Sequence, residues 1–179
     1  AVAAILSLLQ KNPNAAKYKY YSPLHKACNM RAPLEVISAL LTAWPDAAKQ
    51  KDYYHVSTPL HIACYRETPL EVVSVLLKAW PGAAKEKDGD GRVPLHVACE
   101  QDAPLDVVSA LLKAWPGAVN VKDNDYDRTP LQRACYYIST LEVVIPLLNT
   151  WLSFKENRTN RAILSFQEEE YAFYRDVYV

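Results

Sequence analysis

Three histidines each stand three residues ahead of a cysteine: His25 before Cys28, His61 before Cys64 and His96 before Cys99. At a fourth such place Gln132 precedes Cys135. Residues at i and i+3 share a helix face, so each pair offers two ligands of the kind zinc takes. Two ligands with no second pair nearby do not make a metal site, and neither a metal nor a cofactor is expected. As general bases the histidines would need a nucleophile and an orienting acid within reach, and their surroundings supply neither. The chain has no glycine-rich phosphate loop, nucleophile elbow or metalloprotease motif. No enzymatic activity is therefore expected from these residues. The structural reading gives each histidine one task, a hydrogen bond tying a turn to its helix.

The chemistry-bearing residues belong to a unit that recurs four times. Its copies are Pro23-Leu24-His25-Lys26-Ala27-Cys28, Pro59-Leu60-His61-Ile62-Ala63-Cys64, Pro94-Leu95-His96-Val97-Ala98-Cys99 and Pro130-Leu131-Gln132-Arg133-Ala134-Cys135. The prolines are 36, 35 and 36 residues apart, a period that marks a solenoid in which each unit buries its apolar face against its neighbours. Four cysteines at one position of successive units would sit about a helix diameter apart, roughly 10 Å, beyond the reach of about 7 Å for a disulfide. They read as small buried hydrophobes in a reducing compartment, and the chain as intracellular, in the cytoplasm.

Each unit carries two helix starts. In the second, Thr58 before Pro59 places an N-cap hydroxyl ahead of a proline at the first helical position, giving a helix to Tyr65 or Arg66. Thr68-Pro69-Leu70-Glu71 has the form of a capping box and predicts a second helix. Leu70, Val73, Leu76, Leu77 and Trp80 form its apolar stripe, Glu71, Ser74 and Lys78 face water, and Pro81-Gly82 ends it. The tryptophans Trp44, Trp80, Trp115 and Trp151 repeat with the same period and read as core. Between units lie polar stretches rich in aspartate, asparagine and glycine, predicted to be projecting turns.

These residues resemble the ankyrin repeat, on the match of Asp88-Gly89-Asp90-Gly91-Arg92-Val93-Pro94-Leu95-His96 to its Asp-x-x-Gly-x-Thr-Pro-Leu-His turn, with valine in place of threonine. The resemblance implies an all-α solenoid of antiparallel helix pairs with finger turns toward a concave side, and a role in binding another protein as scaffold or adaptor. The units are longer than the family's 33 residues. In the fourth, Gln132 replaces histidine and Pro146 falls within the second helix, where it removes the bond to Glu142 and predicts a kink. By this reading residues 17–151 hold four repeats. Residues 1–16 read as the second half of a truncated repeat, and with Ala1 at the start the array is expected to continue upstream. Residues 152–179 are expected to carry a helix, Asn160 to Val177, that caps the array or docks on a partner or another copy.

The family's usual contact positions fall on the fingers and on the ends of the first helices. The finger positions are Tyr20, Tyr21, Tyr53, Tyr54, His55, Asp90, Arg92, Asp125, Tyr126 and Arg128. The helix-end positions are Asn29, Met30, Tyr65, Arg66, Glu100, Gln101, Tyr136 and Tyr137. Nine of the twelve tyrosines lie in or beside these places, and rigid rings with a hydroxyl are what interfaces use as anchors. The alternative is that they pack along neighbouring fingers as structural surface aromatics. Twenty basic and twenty acidic residues give a net charge of zero, so the basic surface that nucleic acid demands is missing. The longest apolar run, Ala1 to Leu9, is too short for a membrane helix. A protein partner remains, with self-association through the C-terminal segment as the alternative. Asn157-Arg158-Thr159 fits a glycosylation acceptor, read as a chance match in a chain with reduced cysteines.

Overall fold

The computed structural model of the protein describes residues 7, 11, 12, 22–137, 139–160 and 162–164. Four helix pairs follow one another: α1 (Pro23–Asn29) with α2 (Leu34–Ala43), α3 (Pro59–Tyr65) with α4 (Leu70–Ala79), α5 (Pro94–Glu100) with α6 (Leu105–Ala114), and α7 (Pro130–Tyr136) with α8 (Leu141–Ser153). Each first helix packs on the next first helix and each second on the next second. The result is the expected all-α solenoid. Its core is a row of leucines, valines and alanines, with Leu24, Leu60, Leu95 and Leu131 repeating at one place in the motif and each no more than 1% exposed. The motif proline opens every first helix, where its missing N–H costs nothing.

The first helix ends in a left-handed residue that turns the chain back, Arg31, Glu67 or Asp102, each with φ near 50°. The next amide then bonds to the helix carbonyl five residues back: Ala32 N–H to Ala27 (2.9 Å), Thr68 N–H to Ala63 (3.0 Å) and Ala103 N–H to Ala98 (2.9 Å). This corrects the reading of Thr68 as a helix cap. The N-cap of α4 is Pro69, with no side-chain cap bond, and the Thr68 hydroxyl donates backward to the Ala63 carbonyl at 3.2 Å. Thr68 closes a turn and does not open a helix.

Further expectations about the second helices need amending. Trp-Pro does not simply stop the second helix but starts a 3₁₀ turn, at Pro45–Lys49, Pro81–Lys85 and Pro116–Asn120. Its small residues Ala47, Ala48, Ala83, Ala84, Ala118 and Val119 are buried. Trp151 alone of the four tryptophans is buried, while Trp44, Trp80 and Trp115 lie half-buried against the core's edge. Val72, left out of the apolar stripe, is buried beside Val73. Glu71, Ser74 and Lys78 face water as expected. In the fourth pair α8 runs unbroken through Pro146 and is 13 residues long, against 10 for the other second helices. The Thr150 hydroxyl bonds to the Pro146 carbonyl at 2.7 Å.

After α8 a 3₁₀ turn, Lys155–Arg158, folds back on the last repeat. Its Asn157 is buried, and the side-chain amide donates to the Trp151 carbonyl (2.8 Å) and to Asn120 Oδ1 (2.7 Å). A side chain spent this way is no acceptor for a glycan. The truncated repeat of residues 1–16 and the helix from Asn160 to Val177 lie largely outside the described residues, as do Tyr20 and Tyr21.

Candidate functional site

Each of the three described fingers is built on one buried aspartate. Asp52 Oδ1 accepts the amides of Tyr54 (2.9 Å) and His55 (2.7 Å). Asp88 Oδ1 takes Asp90 (3.0 Å) and Arg92 (2.9 Å), and Asp123 Oδ1 takes Asp125 (3.1 Å) and Tyr126 (3.0 Å). This is the ordinary side-chain-to-backbone chemistry of aspartate turns. The finger closes through the Asp52 amide to the Ser57 carbonyl (2.9 Å), Asp88 to Arg92 (2.9 Å) and Asp123 to Arg128 (3.0 Å). Neighbouring fingers are also joined, by the Gly89 amide to the His55 carbonyl (2.8 Å) and the Asn124 amide to Asp90 (2.9 Å). At Gly91, φ is +73° and an added Cβ would lie 2.4 Å from Asn124 Oδ1, so glycine there serves both the turn and the approach of the next finger.

The histidines fasten this row to the helices. His61 Nε2–H donates to the carbonyl of Arg92 at 3.0 Å, and its Nδ1 accepts the Thr58 N–H at 3.3 Å. His96 bonds to the Arg128 carbonyl (3.0 Å) and takes the Val93 N–H (3.2 Å). His25 reaches the Ser57 carbonyl (3.1 Å) and sits 2.7 Å from the Ser22 hydroxyl. A carbonyl only accepts, which places the proton on Nε2 and leaves Nδ1 as acceptor. Each histidine therefore binds its own helix start and the finger of the following repeat. Burial holds the imidazoles of His61 and His96 down at about 4, against a smaller upward pull from the carbonyls they bind. Burial also raises the thiols of Cys28 and Cys64 to about 12. Cys28, Cys64 and Cys99 are buried and Cys135 half-buried, all as free thiols.

Above this frame the expected contact residues form two groups that meet at Arg92. Asn29, Tyr54, His55, Tyr65, Arg66 and Arg92 line one groove of about 450 Å³ between the first helices and the second and third fingers. Ile62 and Val97 line it as well. Arg66 is held in place: its Nε–H donates to Asn29 Oδ1 at 2.7 Å, and its guanidinium lies 5.2 Å from the ring centre of Tyr65. Tyr53 stands outside the groove, edge-to-face with Tyr54 at 5.6 Å, and these two are 72% and 79% exposed. Met30 projects at the adjoining helix end.

The second group lies on repeats three and four and is bound together by charge. Arg92 pairs with Asp88 (3.0 Å), Asp90 (2.8 Å) and Glu100 (3.2 Å). Arg133, which the motif places among Lys26, Ile62 and Val97, reaches the same Glu100 oxygen at 3.3 Å, Asp123 at 2.9 Å and Asp125 at 3.5 Å. Its side chain is 3% exposed and that of Asp123 is fully buried. Burial alone would raise the Asp123 carboxyl, but the Tyr126 amide and Arg133 more than offset it, and the group is held below its ordinary value. Arg128 lies over Tyr136 at 4.3 Å and Tyr126 at 5.0 Å, and Tyr136 meets Tyr137 edge-to-face at 4.8 Å. Gln101, the C-cap of α5, is half-buried. Arg133, Asp123, Ile62 and Val97 are the residues of this surface that sequence reasoning missed. The signal was there in the variable position of the six-residue motif, which runs lysine, isoleucine, valine, arginine.

A family model described as ankyrin repeats, three copies, matches residues 60–159, more than half of the chain. The chain belongs to the ankyrin-repeat family. A search among curated proteins finds no match. Ankyrin repeats are generally protein–protein interaction modules and typically non-enzymatic scaffolds. Within this ankyrin array no three histidine, cysteine, aspartate or glutamate side chains converge as a metal would require, among the described residues. Nor is any described helix long and apolar enough to cross a membrane.

Proposed function

We propose that this array is a non-catalytic scaffold or adaptor that binds another protein through its fingers and first-helix ends. The observation that carries this reading is the set of exposed tyrosines on a fastened frame. Tyr53, Tyr54, Tyr65 and Tyr126 are each more than half exposed, yet the amides of Tyr54 and Tyr126 are pinned by Asp52 and Asp123, Tyr53 stands between Asp52 and Tyr54 in the same turn, and Tyr65 is the last residue of α3. A ring presented on a rigid support loses little freedom on binding, which favours affinity. The contact set is Tyr53, Tyr54, His55, Asn29, Met30, Tyr65 and Arg66 on the second-repeat side. On the other side it is Asp90, Arg92, Glu100, Gln101, Asp125, Tyr126, Arg128, Tyr136 and Tyr137, with Tyr20 and Tyr21 continuing it by sequence. Engagement of both ring nitrogens of the motif histidines supports a structural task and no catalytic one. The free thiols support an intracellular, cytoplasmic setting.

A second reading, a fixed subunit or self-associating chain, is favoured by one feature. Leu141, Ile145 and Leu148 stand exposed at 73%, 51% and 38% along α8. The place of Leu148 is buried as Leu41 and Leu112 in other second helices, and Ile145 puts an apolar side chain where α4 and α6 carry the exposed Ser74 and Ser109. Residues 152–179 would cap that stripe or dock through it. The test is copurification from the native source with mass spectrometry, repeated with Tyr53 and Tyr54 changed to alanine and with Tyr136 and Tyr137 changed to alanine. Both variants should keep the wild-type melting temperature, and loss of an anchor should weaken partner capture by upwards of about 2 kcal/mol. Unchanged capture by both moves the site off the fingers, and a dimer lost on Leu141→Asp with Ile145→Asp selects the second reading.

A further inference from the structure

The two halves of the concave surface hold their cations differently, and the difference points to the chemistry of the partner. Arg92 and Arg133 are surrounded by carboxylates. Arg66, on the wall of the groove, is oriented by Asn29 through Nε and by the Tyr65 ring, which leaves its two terminal nitrogens directed to no carboxylate. Lys26, at the place in α1 that Ile62 holds in α3, is exposed and likewise forms no ion pair among the described residues. Carboxylates near these two cations are already committed. Glu67 pairs with Arg31 at 3.6 Å, Asp88 pairs with Arg92, and Asp52 is 5% exposed with Oδ1 taking two amides. Arg66 shares its groove with the apolar Ile62 and with the rings of Tyr54 and Tyr65.

We infer that the groove of repeats one to three takes an acidic segment of its partner, with a carboxylate on the fork of Arg66 and an adjacent apolar side chain over Ile62 between Tyr54 and Tyr65. The inference rests on the protein-binding reading above and adds the charge and shape of what is bound. A guanidinium fixed at Nε by Asn29 presents its remaining N–H groups in one plane, the geometry a carboxylate accepts bidentately. Lys26 supplies a second, longer-range attraction, so binding should weaken as salt rises. The same charges select against basic segments, for which this part of the surface has no exposed carboxylate to spare.

The test uses a random twelve-residue peptide library displayed on phage, selected against the whole chain. The tightest winner is then made with blocked ends, so that only its side chains carry charge. Aspartate or glutamate next to an aromatic or branched apolar residue should be enriched. Affinity for that peptide should fall about tenfold or more on Arg66→Gln, recover in part on Arg66→Lys, and fall equally when the peptide's own acid becomes its amide. Combining the two changes should add little, since they remove one contact. Melting curves of the Arg66 variants should match the wild type. Winners without acidic enrichment, or winners that lose binding on Tyr54→Ala with Tyr65→Ala but ignore Arg66→Gln, overturn this inference and leave protein binding at the groove standing. Winners indifferent to the tyrosines and to Arg66 alike overturn both.

Discussion

The second finger and the fourth occupy equivalent places on the same scaffold, yet one is left open and the other is locked. In the second, Asp52 organises the turn with one oxygen and pairs with no arginine among the described residues, because Ser57 stands where the third finger carries Arg92 and Ile62 stands where the fourth repeat carries Arg133. Tyr53, Tyr54 and His55 are exposed, and a groove runs beneath them. In the fourth, Asp123 is fully buried under Arg133, which also reaches back to Glu100 and so ties repeat four to repeat three. Charge that the fourth repeat spends on holding itself together is, near the second, still available to a partner. A repeat protein gains its stability from interfaces between neighbours, and the ion network adds a tie between the fourth repeat and the third.

The most severe test of this contrast is Arg133→Ala. It leaves the Asp123 and Glu100 carboxylates without their shared cation, and removing one partner of a buried pair costs about 3–5 kcal/mol. Repeat four should unfold first, seen as an early step in chemical denaturation by tryptophan fluorescence, since Trp151 lies there. Arg66→Ala, the open counterpart, should stay within about 0.5 kcal/mol of the wild type, as surface changes do. Equal losses from the two changes would erase the distinction between a locked end and an open one.

Beneath the difference, the histidine fastening is common to both regions, and pH separates it from the surface charges. His61 and His96 sit at about 4 when folded, against about 6.5 in an unfolded chain. The unfolded state binds more protons between these values, so stability is full above about 6.5 and is lost as pH falls toward 4, by up to about 1.4 kcal/mol per pH unit for each histidine. Asp123, held below its ordinary value, adds its own loss only below the usual carboxylate range. Repeat four shows what removes the effect: Gln132 accepts the Thr129 N–H at 2.9 Å with no titrating group. His61→Gln and His96→Gln should each flatten the stability profile between pH 6.5 and 4 by the share of one proton. A flattening by only one of them would mean that the two regions differ in their frame as well as in their surface.

Much of this was legible in the sequence, because a period read four times corrects its own errors. The motif prolines, the buried leucines and the first helices follow from local chemistry that each copy repeats. Thr68 misled because threonine before proline is a cap at Thr58 and a turn closure ten residues later, and the difference lies in the left-handed Glu67, which no local signal announces. The ion network was hidden for another reason. Arg133 and Glu100 are 33 residues apart, and their meeting appears only when the period is applied to charges as well as to apolar residues. The groove was half legible: its tyrosines stood out by type, whereas Ile62 and Val97 looked like any other helix residues until the fingers were set over them.

The smallest expected effect concerns the one place where the open finger is strained. Val56 has φ +54° and is 42% exposed. The equivalent places in the third and fourth fingers hold Gly91 and Asp127, at +73° and +56°. A β-branched residue is the least suited to this region, because its Cβ crowds the backbone, at a cost of about 1–2 kcal/mol. Glycine removes that crowding but adds freedom to the unfolded chain, worth about 0.4–1 kcal/mol in the other direction. The balance predicts that Val56→Gly stabilises the array by about 0.5–1 kcal/mol, while Asp127→Gly, starting from a residue that tolerates the conformation, changes little. Urea denaturation of the two variants beside the wild type measures both. Val56 γ-carbon also lies 3.8 Å from where a Cβ on Gly89 would stand, so the valine helps cover the neighbouring finger. If Val56→Gly proves destabilising, that contact outweighs the strain, and the second finger is held more tightly to its neighbour than its exposed tyrosines suggest.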